Sequence, residues 1–328
     1  MAAIDGFDEM LKMLLQGDVN GVLMQILSGI SDDLFGTMAM NREYMIQILI
    51  ICVLAAFFTN LTNAFGSGLL GDQGFYVAFL IIFTLSIQAF SSFYEIGQSM
   101  VEQAVDMTNV LLPAYVISVT GACGQVSAVA AYELIYMVLG IIQNVILYIM
   151  FPLVQVVFLF QFINQMNQEQ YFTKWISMIS DLIGWGLKMI GIFVVGMHVL
   201  KGLISPMIDA VRVGGIQKTI SALPGGSFVA AFTGVLVGCS ALIKNSIGVL
   251  GMLLLVSVSA VPLIQMAVIL VMYRLLSALL EPIIDKRLSK AFSGICHAGG
   301  MLIRICFTSV VIMIVSIAMI AACTGTIT

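Results

Sequence analysis

The chain has 328 residues, of which 61% are apolar and only 9% are Asp, Glu, Lys or Arg. A soluble domain carries about 25% charged residues to keep its surface hydrated, so this composition excludes a soluble enzyme, a nucleic-acid-binding protein and a disordered scaffold. The sequence predicts an all-α, polytopic transmembrane helical bundle with a net charge of −4, embedded in a lipid bilayer and without nucleic acid as a partner.

The first 42 residues differ from the rest of the chain because charged residues are frequent and apolar residues recur at helical spacing. This pattern predicts an amphipathic N-terminal segment over residues 1–42, lying at the membrane surface, on a partner or against the bundle, and a transmembrane domain over 43–328. A cleavable signal peptide begins with a basic region, whereas this segment begins with the acidic residues Asp5, Asp8 and Glu9. The sequence therefore predicts no cleavable signal peptide.

Long charge-poor runs locate the membrane spans, since a crossing helix needs about 20 mostly apolar residues. Two further stretches, 114–131 and 225–243, are apolar, follow Leu-Pro pairs and are rich in Gly, Ser and Ala. They are either thin spans or re-entrant segments, which leaves six to eight spans. The six clear spans are expected at about 44–64, 75–93, 133–164, 183–205, 247–273 and 301–322.

The distribution of basic residues predicts the orientation of the chain. The region 274–299 carries the largest group of Lys and Arg, so we expect a cytoplasmic loop there and both termini outside. Lys201, Arg212 and Lys218 also fall inside only if both ambiguous stretches cross. The positive-inside rule therefore favours eight spans over six spans with two re-entrant segments.

An internal duplication is indicated by a pattern that occurs twice. A Leu-Pro pair ending at Pro113 or Pro224 precedes a Gly/Ser/Ala run, a long apolar helix and a second proline, Pro152 or Pro262. The second proline begins Pro-Leu-Val-Gln in one copy and Pro-Leu-Ile-Gln in the other. Such repeats are common in transporters, whose functional site lies at the repeat interface.

Two polar stripes extend this duplication, giving repeat units of about 75–190 and 183–322. Within each stripe the residues are spaced by seven, which returns a helix to nearly the same face. The repeat is inverted if there are eight spans and parallel if there are six. The candidate stripe residues are Lys174, Asp181 and Lys188 in the first stripe and Lys290, His297 and Arg304 in the second. They either snorkel and form structural ion pairs or line a pathway.

Other polar and small residues inside the spans have structural interpretations. The prolines are expected to kink their helices, and an amide three residues later can satisfy a freed carbonyl. The glycine pair fits close helix packing, and the mid-span Gln143 and Asn144 are expected to bond a neighbouring helix. The candidate kink and packing residues are Pro152, Gln155, Pro262, Gln265, Gly234 and Gly238.

No enzyme motif, metal site or cofactor site is predicted. The sequence has no HExxH, GxSxG or Walker A pattern, and two histidines are too few for a histidine-based metal site. The cysteines form no CxxC pair and are expected to be free, buried thiols. They are Cys52, Cys123, Cys239, Cys296, Cys306 and Cys323.

Several segments resemble the stage III sporulation protein AE family. The most specific one combines Leu223-Pro224, Gly234, Gly238 and the Lys244-Asn245-x-x-Gly248 sequence. Leu111 to Tyr115 and Tyr273 to Pro282 are also similar to the family. The resemblance covers most of the chain from about residue 40, and none of these segments is a catalytic signature.

The resemblance implies a multi-pass protein of the mother-cell membrane around the forespore, in an endospore-forming bacterium. It further implies a core subunit of a secretion-like channel that forespore development requires. Its expected partners are other membrane and ring-forming subunits, with a cytoplasmic ATPase contacting 274–299. A self-sufficient secondary permease for a small solute is the alternative, and a purely structural membrane scaffold is a third interpretation.

Overall fold

The computed structural model describes residues 68–123, 126–166, 170–220, 226–282 and 286–322, with scattered positions between 36 and 57. The secondary structure of these residues is helical, which confirms the all-α prediction. The N-terminal segment 1–42 lies almost entirely outside the described residues. About half of the span expected at 44–64 is described, and those residues are helical. The elements are α1 (Gly68–Cys123), α2 (Val126–Val145), a π-helical turn (Ile146–Met150), α3 (Phe151–Met166), α4 (Thr173–Ile220), α5 (Gly226–Leu280) and α6 (Lys286–Ala322).

Among the described residues, five segments are long and apolar enough to cross a membrane. Each overlaps one of the spans expected from sequence, which confirms a membrane protein with several apolar helices. The total number of crossings and the internal repeat stay predictions. The segments are Phe79–Leu111, Ile135–Met166, Thr173–Met197, Gly251–Leu280 and Ser289–Ala318.

The helices are much longer than the spans expected from sequence. Helix α1 has 56 residues and α5 has 55, so at 1.5 Å per residue each is about 80 Å long, against a hydrocarbon core of about 30 Å. The described backbone of both ambiguous stretches is helical, at 114–123, 126–131 and 226–243. Whether these stretches cross the bilayer stays a prediction.

A π-helical turn directly precedes Pro152. Proline has no N–H to donate, and its ring clashes with the carbonyl four residues earlier. In the π-helical turn Ile146–Met150, the N–H of Phe151 donates to the carbonyl of Ile146, one residue beyond the α-helical partner. The wider turn separates α2 from α3. Pro262, in contrast, lies inside the continuous helix α5.

The α3–α4 connection is held by the side chain of Asn164. Its Oδ1 accepts the N–H of Phe172 at 2.9 Å, and its Nδ2 donates to Oγ1 of Thr173 at 3.0 Å. Thr173 Oγ1 in turn donates to the carbonyl of Gln170, whose φ is 48°. These bonds satisfy backbone groups of the turn and start α4 at Thr173.

The basic region 274–299 is the tip of a helical hairpin, so the expected loop is wrong in extent. Helix α5 continues to Leu280, Glu281 and Pro282 form a turn, and α6 begins at Lys286. A proline shortly after the last helical residue is a common stop signal. Most of the basic residues therefore lie on helix ends.

By residue contacts the chain divides into two compact units that interleave along the sequence. Helices α1, α3, α4, α5 and α6 each contribute to both units. Unit 1 comprises Met1–Gly97, Gln155–Ile176 and Ala260–Ile303, and unit 2 comprises Gln98–Val154, Ser177–Ser259 and Arg304–Thr328. The predicted boundaries 1–42 and 43–328 stay untested by this division.

The core of unit 1 is an aromatic cluster between α1 and α3. Phe90 and Phe158 stack with ring centroids 4.1 Å apart, and Phe162 packs at 6.1 Å from Phe79 and 5.0 Å from Phe83. The side chains of Phe79, Phe158 and Phe162 are buried. Such contacts contribute beyond the area they bury, by about 0.5–1.5 kcal/mol per pair.

The core of unit 2 joins α1, α5 and α6. Ala104, Leu255, Met313 and Ile317 form a buried cluster. The small side chain of Ala104 lets α1 approach α5 and α6 closely. In lipid, packing of this kind replaces the hydrophobic effect as the force between helices.

Candidate functional site in the membrane-spanning helices

An amide–imidazole pair links α3 to α6 in unit 1, with its amide side buried. Gln161 Nε2 lies 3.0 Å from Nδ1 of His297, and Gln161 is 8% exposed. Gly294, one turn before His297, faces the same amide, and a Cβ placed on it would collide with Gln161 Oε1. In the described part of the chain, that Oε1 has no hydrogen-bond partner. The glycine thus allows α6 to approach Gln161.

A second amide links α2 to α6 in unit 2. Ser309 Oγ donates to Oε1 of Gln143 at 2.8 Å, and both side chains are buried. This confirms that Gln143 bonds a neighbouring helix, whereas Asn144 is exposed. Within the described residues, Gln143 Nε2 and the Oγ of the buried Ser316 have no partner.

The predicted polar stripes lie on the exposed faces of two helices. All three residues of the first stripe are exposed on α4, and all three of the second are exposed on α6. The second stripe reaches a buried polar group, through the bond of His297 to Gln161. Asp181 accepts a bond of 3.4 Å from Ser177, its own helix neighbour.

Four charged residues fall inside every crossing of about 20 residues that can be placed within their candidate spans. Any window of about 20 residues inside Phe79–Leu111 contains Glu95, and any such window in Ser289–Ala318 contains Arg304. The same reasoning applies to Asp181 and Lys188 within the candidate span Thr173–Met197. All four are exposed, and in the described part of its own unit none makes an ion pair.

An unpaired charge at the centre of a bilayer costs about 2.5–3.5 kcal/mol on insertion scales. Lys188 and Arg304 have long side chains that reduce this cost by extending toward the interface, whereas the shorter Asp181 cannot reach as far. Exposed charges at this depth are therefore expected to face water or another polypeptide rather than lipid.

Sequence reasoning overlooked an acidic face on α1. Glu95, Glu102 and Asp106 are spaced by seven and four residues, which places them on one side of the helix. All three are exposed, while Met100 and Ala104 are buried on the other side. The spacing was a usable signal, but the expected span ended near residue 93 and left these residues outside it.

Comparison with known proteins identifies the family. Residues 6–324 match the family described as stage III sporulation protein AE. The chain belongs to the stage III sporulation protein AE family. It is 19% identical over 285 residues to the stage III sporulation protein AE of Bacillus subtilis (strain 168), which covers 83% of this chain and 69% of that relative. No solved structure matches the chain.

In this member of the stage III sporulation protein AE family, the remaining candidate residues have varied surroundings. Gln155 is exposed and Gln265 is half-buried, so satisfaction of a freed carbonyl by either amide stays a prediction. Gly234 and Gly238 lie in helix α5, but the structure does not describe their surroundings, so their role in packing stays a prediction.

The thiols and carboxylates of the described residues form no metal-binding cluster. Cys52 and Cys306 are buried free thiols, and Cys296 is a half-buried one. Unit 1 holds a cavity of about 10 Å³ between Phe93, Leu270 and neighbouring side chains, which is at most the size needed for one water molecule.

Proposed function

We propose that this protein is a membrane core subunit of a secretion-like channel between mother cell and forespore, needed for forespore development. Membership of the stage III sporulation protein AE family supports a role in sporulation. The five candidate spans support a place in a membrane. The mother-cell membrane around the forespore is the location that this role requires.

The exposed intramembrane charges are the observation that carries the subunit role. The side chains of Glu95, Asp181, Lys188 and Arg304 are exposed, and among the described residues of their units they make no ion pair. A self-sufficient permease would be expected to enclose such groups in its interior, where they pair or line a water-filled cavity. Charges on outer faces instead favour a protein whose surface is completed by assembly.

The hairpin tip between α5 and α6 is the proposed contact for a cytoplasmic ATPase. It carries Lys286, Arg287 and Lys290 together with Arg274 on the preceding helix. The positive-inside rule favours the cytoplasmic side for such a group. Such a group of positive charges suits an acidic surface on a soluble partner.

A clean deletion in the sporulating host tests the role in development. We expect cells to complete engulfment and then to fail in late forespore gene expression, read with a forespore-specific fluorescent reporter. Complementation by the wild-type gene is expected to restore the signal. Normal reporter activity and normal spore counts in the deletion strain would refute the proposal.

Reconstitution separates the channel subunit from the permease. We expect liposomes containing this protein alone to show no solute uptake above that of empty liposomes. Uptake that saturates with solute concentration and needs no other protein would establish the permease instead.

Substitutions in the stripes test whether a pathway is involved. Lys188→Leu and Arg304→Leu remove intramembrane charge without adding polar groups, so insertion is expected to become easier. If the stripes line the channel, forespore reporter activity should fall although the complex still assembles. Unchanged reporter activity with intact assembly would exclude a stripe-lined pathway.

A further inference from the structure

Unit 2 contains buried polar groups whose hydrogen-bonding capacity the protein itself does not use. Among the described residues, Gln143 Nε2, Ser259 Oγ and Ser316 Oγ have no hydrogen-bond partner. All three side chains are at most 3% exposed. Buried polar groups in native proteins are almost always paired, either with protein atoms or with ordered water. These three groups therefore call for a partner that is not part of the chain.

The packing of α5 against α6 brings Ser259 to the level of the Gln143–Ser309 bond. Leu255 and Met313 belong to one buried cluster, and α5 and α6 run antiparallel as the two arms of a hairpin. Ser259 lies one turn after Leu255. Ser309 lies one turn before Met313, so both steps go the same way along the antiparallel pair. Residues four apart share a helix face, which places both serines in the α5–α6 interface.

Ser316 lies on the other side of the apolar cluster. It follows Ser309 by seven residues, which is about 10 Å along α6. Met313, a member of the cluster, lies between them. The polar site at the level of Ser309 is therefore formed by Gln143 of α2, Ser259 of α5 and Ser309 of α6.

The chemistry of these three side chains selects the occupant. Gln143 Nε2 only donates, the Ser259 hydroxyl donates and accepts, and Ser309 Oγ already donates to Gln143 and has lone pairs left. The amide N–H groups would repel a cation. Among the described residues, every buried polar side chain is uncharged, so an anion would be buried without a compensating charge. Water both accepts and donates, and a buried water typically makes about three hydrogen bonds.

We propose that an ordered water molecule binds in the core of unit 2 between Gln143, Ser259 and Ser309. It accepts a hydrogen bond from Gln143 Nε2, bonds the Ser259 hydroxyl and donates to Ser309 Oγ. Two serines leave more space in this interface than side chains such as Leu255 and Met313 would. The water connects α5 to the polar pair that already joins α2 to α6. This proposal does not depend on the role in sporulation.

The sign of the effect of Ser259→Ala is the direct test, measured on the full chain by SDS titration in mixed micelles. If the hydroxyl bonds a water, its loss should lower the folding equilibrium constant about threefold, as for an average interhelical side-chain hydrogen bond in a membrane. If the hydroxyl is unsatisfied, its removal should leave the constant unchanged or raise it. Ser257→Ala is the matched control, because Ser257 Oγ donates at 2.8 Å to the carbonyl of Leu253 in its own helix. It should leave the constant nearly unchanged.

A double-mutant cycle tests whether Gln143 and Ser259 share one partner. Gln143→Met keeps the length of the side chain and removes its N–H groups. Because either single change releases the same water, Gln143→Met with Ser259→Ala should lose less than the product of the two single losses. Ser316→Ala is the control, since Ser316 is equally buried but separated from this site by Met313. Its effect should multiply with that of Gln143→Met.

A high-resolution density map of the full chain provides an independent readout that needs no variant. We expect a peak about 3 Å from both Gln143 Nε2 and Ser259 Oγ. A Ser259→Ala chain that is as stable as the wild type or more stable would overturn the proposal. So would strict multiplication of the Gln143 and Ser259 effects, or a map without density between these side chains. If Gln143→Met does not fold, the Ser259→Ala result and the map still decide the question.

Discussion

The close approach of α6 to Gln161 predicts a large effect for a small substitution at Gly294. An ideal Cβ on Gly294 collides with Gln161 Oε1 and lies 3.0 Å from Gln161 Cβ and 3.2 Å from its Cδ. Because the new methyl group also contacts the Cβ of Gln161, rotation of the Gln161 amide alone cannot relieve the collision. Gly294→Ala should therefore push Gln161 away from His297 and separate α3 from α6.

Two costs add in this variant. Overpacking a well-filled site costs about 1–3 kcal/mol. Loss of an interhelical side-chain hydrogen bond in a membrane costs about 0.6 kcal/mol on average, and up to about 1.7 kcal/mol. Gly300, on the same helix, has nothing within 4 Å of its ideal Cβ. Because the gain in helix propensity is common to both sites, Gly294→Ala should be less stable than Gly300→Ala by about 2–4 kcal/mol.

The free energy of unfolding can be measured by titrating SDS into mixed micelles and following helix content. Gln161→Ala creates room for the new methyl group, so Gly294→Ala with Gln161→Ala should be more stable than the sum of the single changes predicts. Equal stability of Gly294→Ala and Gly300→Ala, or strict additivity with Gln161→Ala, would refute the reasoning.

Three further predictions concern stability in the same assay. Gln143→Leu should lower the free energy of unfolding by about 0.6–1.7 kcal/mol. Gln143→Leu with Ser309→Ala should have a free energy of unfolding near that of the wild type, because both polar groups are removed from the apolar interior together. A double variant less stable than Gln143→Leu alone would contradict this. Gly186→Ala meets only the terminal Cε of Met150, at 2.8 Å, so its cost should stay below about 1 kcal/mol because that side chain can turn aside. Asn164→Ala should cost about 1–2 kcal/mol and increase proteolysis of the α3–α4 connection, while Asn164→Asp, which keeps the acceptor, should retain part of that stability.

The all-α membrane fold was predictable because it depends on composition and on charge-free runs of about 20 residues, which are local properties. Helix ends were less predictable. The span expected at 75–93 stopped short of Glu95, yet α1 continues to Cys123. Its acidic residues share one face while Met100 and Ala104 are buried on the other, so charge here marks the exposed side of a helix and not its end.

The contacts between helices could not be predicted from the sequence, because they depend on how distant helices pack against each other. His297 was noted for its seven-residue spacing, but its partner Gln161 lies 136 residues earlier. Pro152 indicated an irregular helix, yet a kink and a π-helical turn both accommodate a missing N–H. The observed turn at Ile146–Met150 is one of several local solutions that a proline permits.

Buried and exposed polar groups are expected to have separable roles in this chain. Lipid tails are as apolar as a leucine side chain, so apolar area alone does not determine which helices pack against each other. The buried Gln143–Ser309 bond and the part-buried Gln161–His297 bond act inside the units, and their loss should lower the free energy of unfolding while leaving assembly of the folded chain intact. Among the described residues of their unit, the exposed Glu102 and Arg304 make no ion pair, so reversal of their charge should impair assembly with the proposed partner subunits and leave the free energy of unfolding nearly unchanged. A buried variant that impairs assembly without lowering the free energy of unfolding would contradict this division.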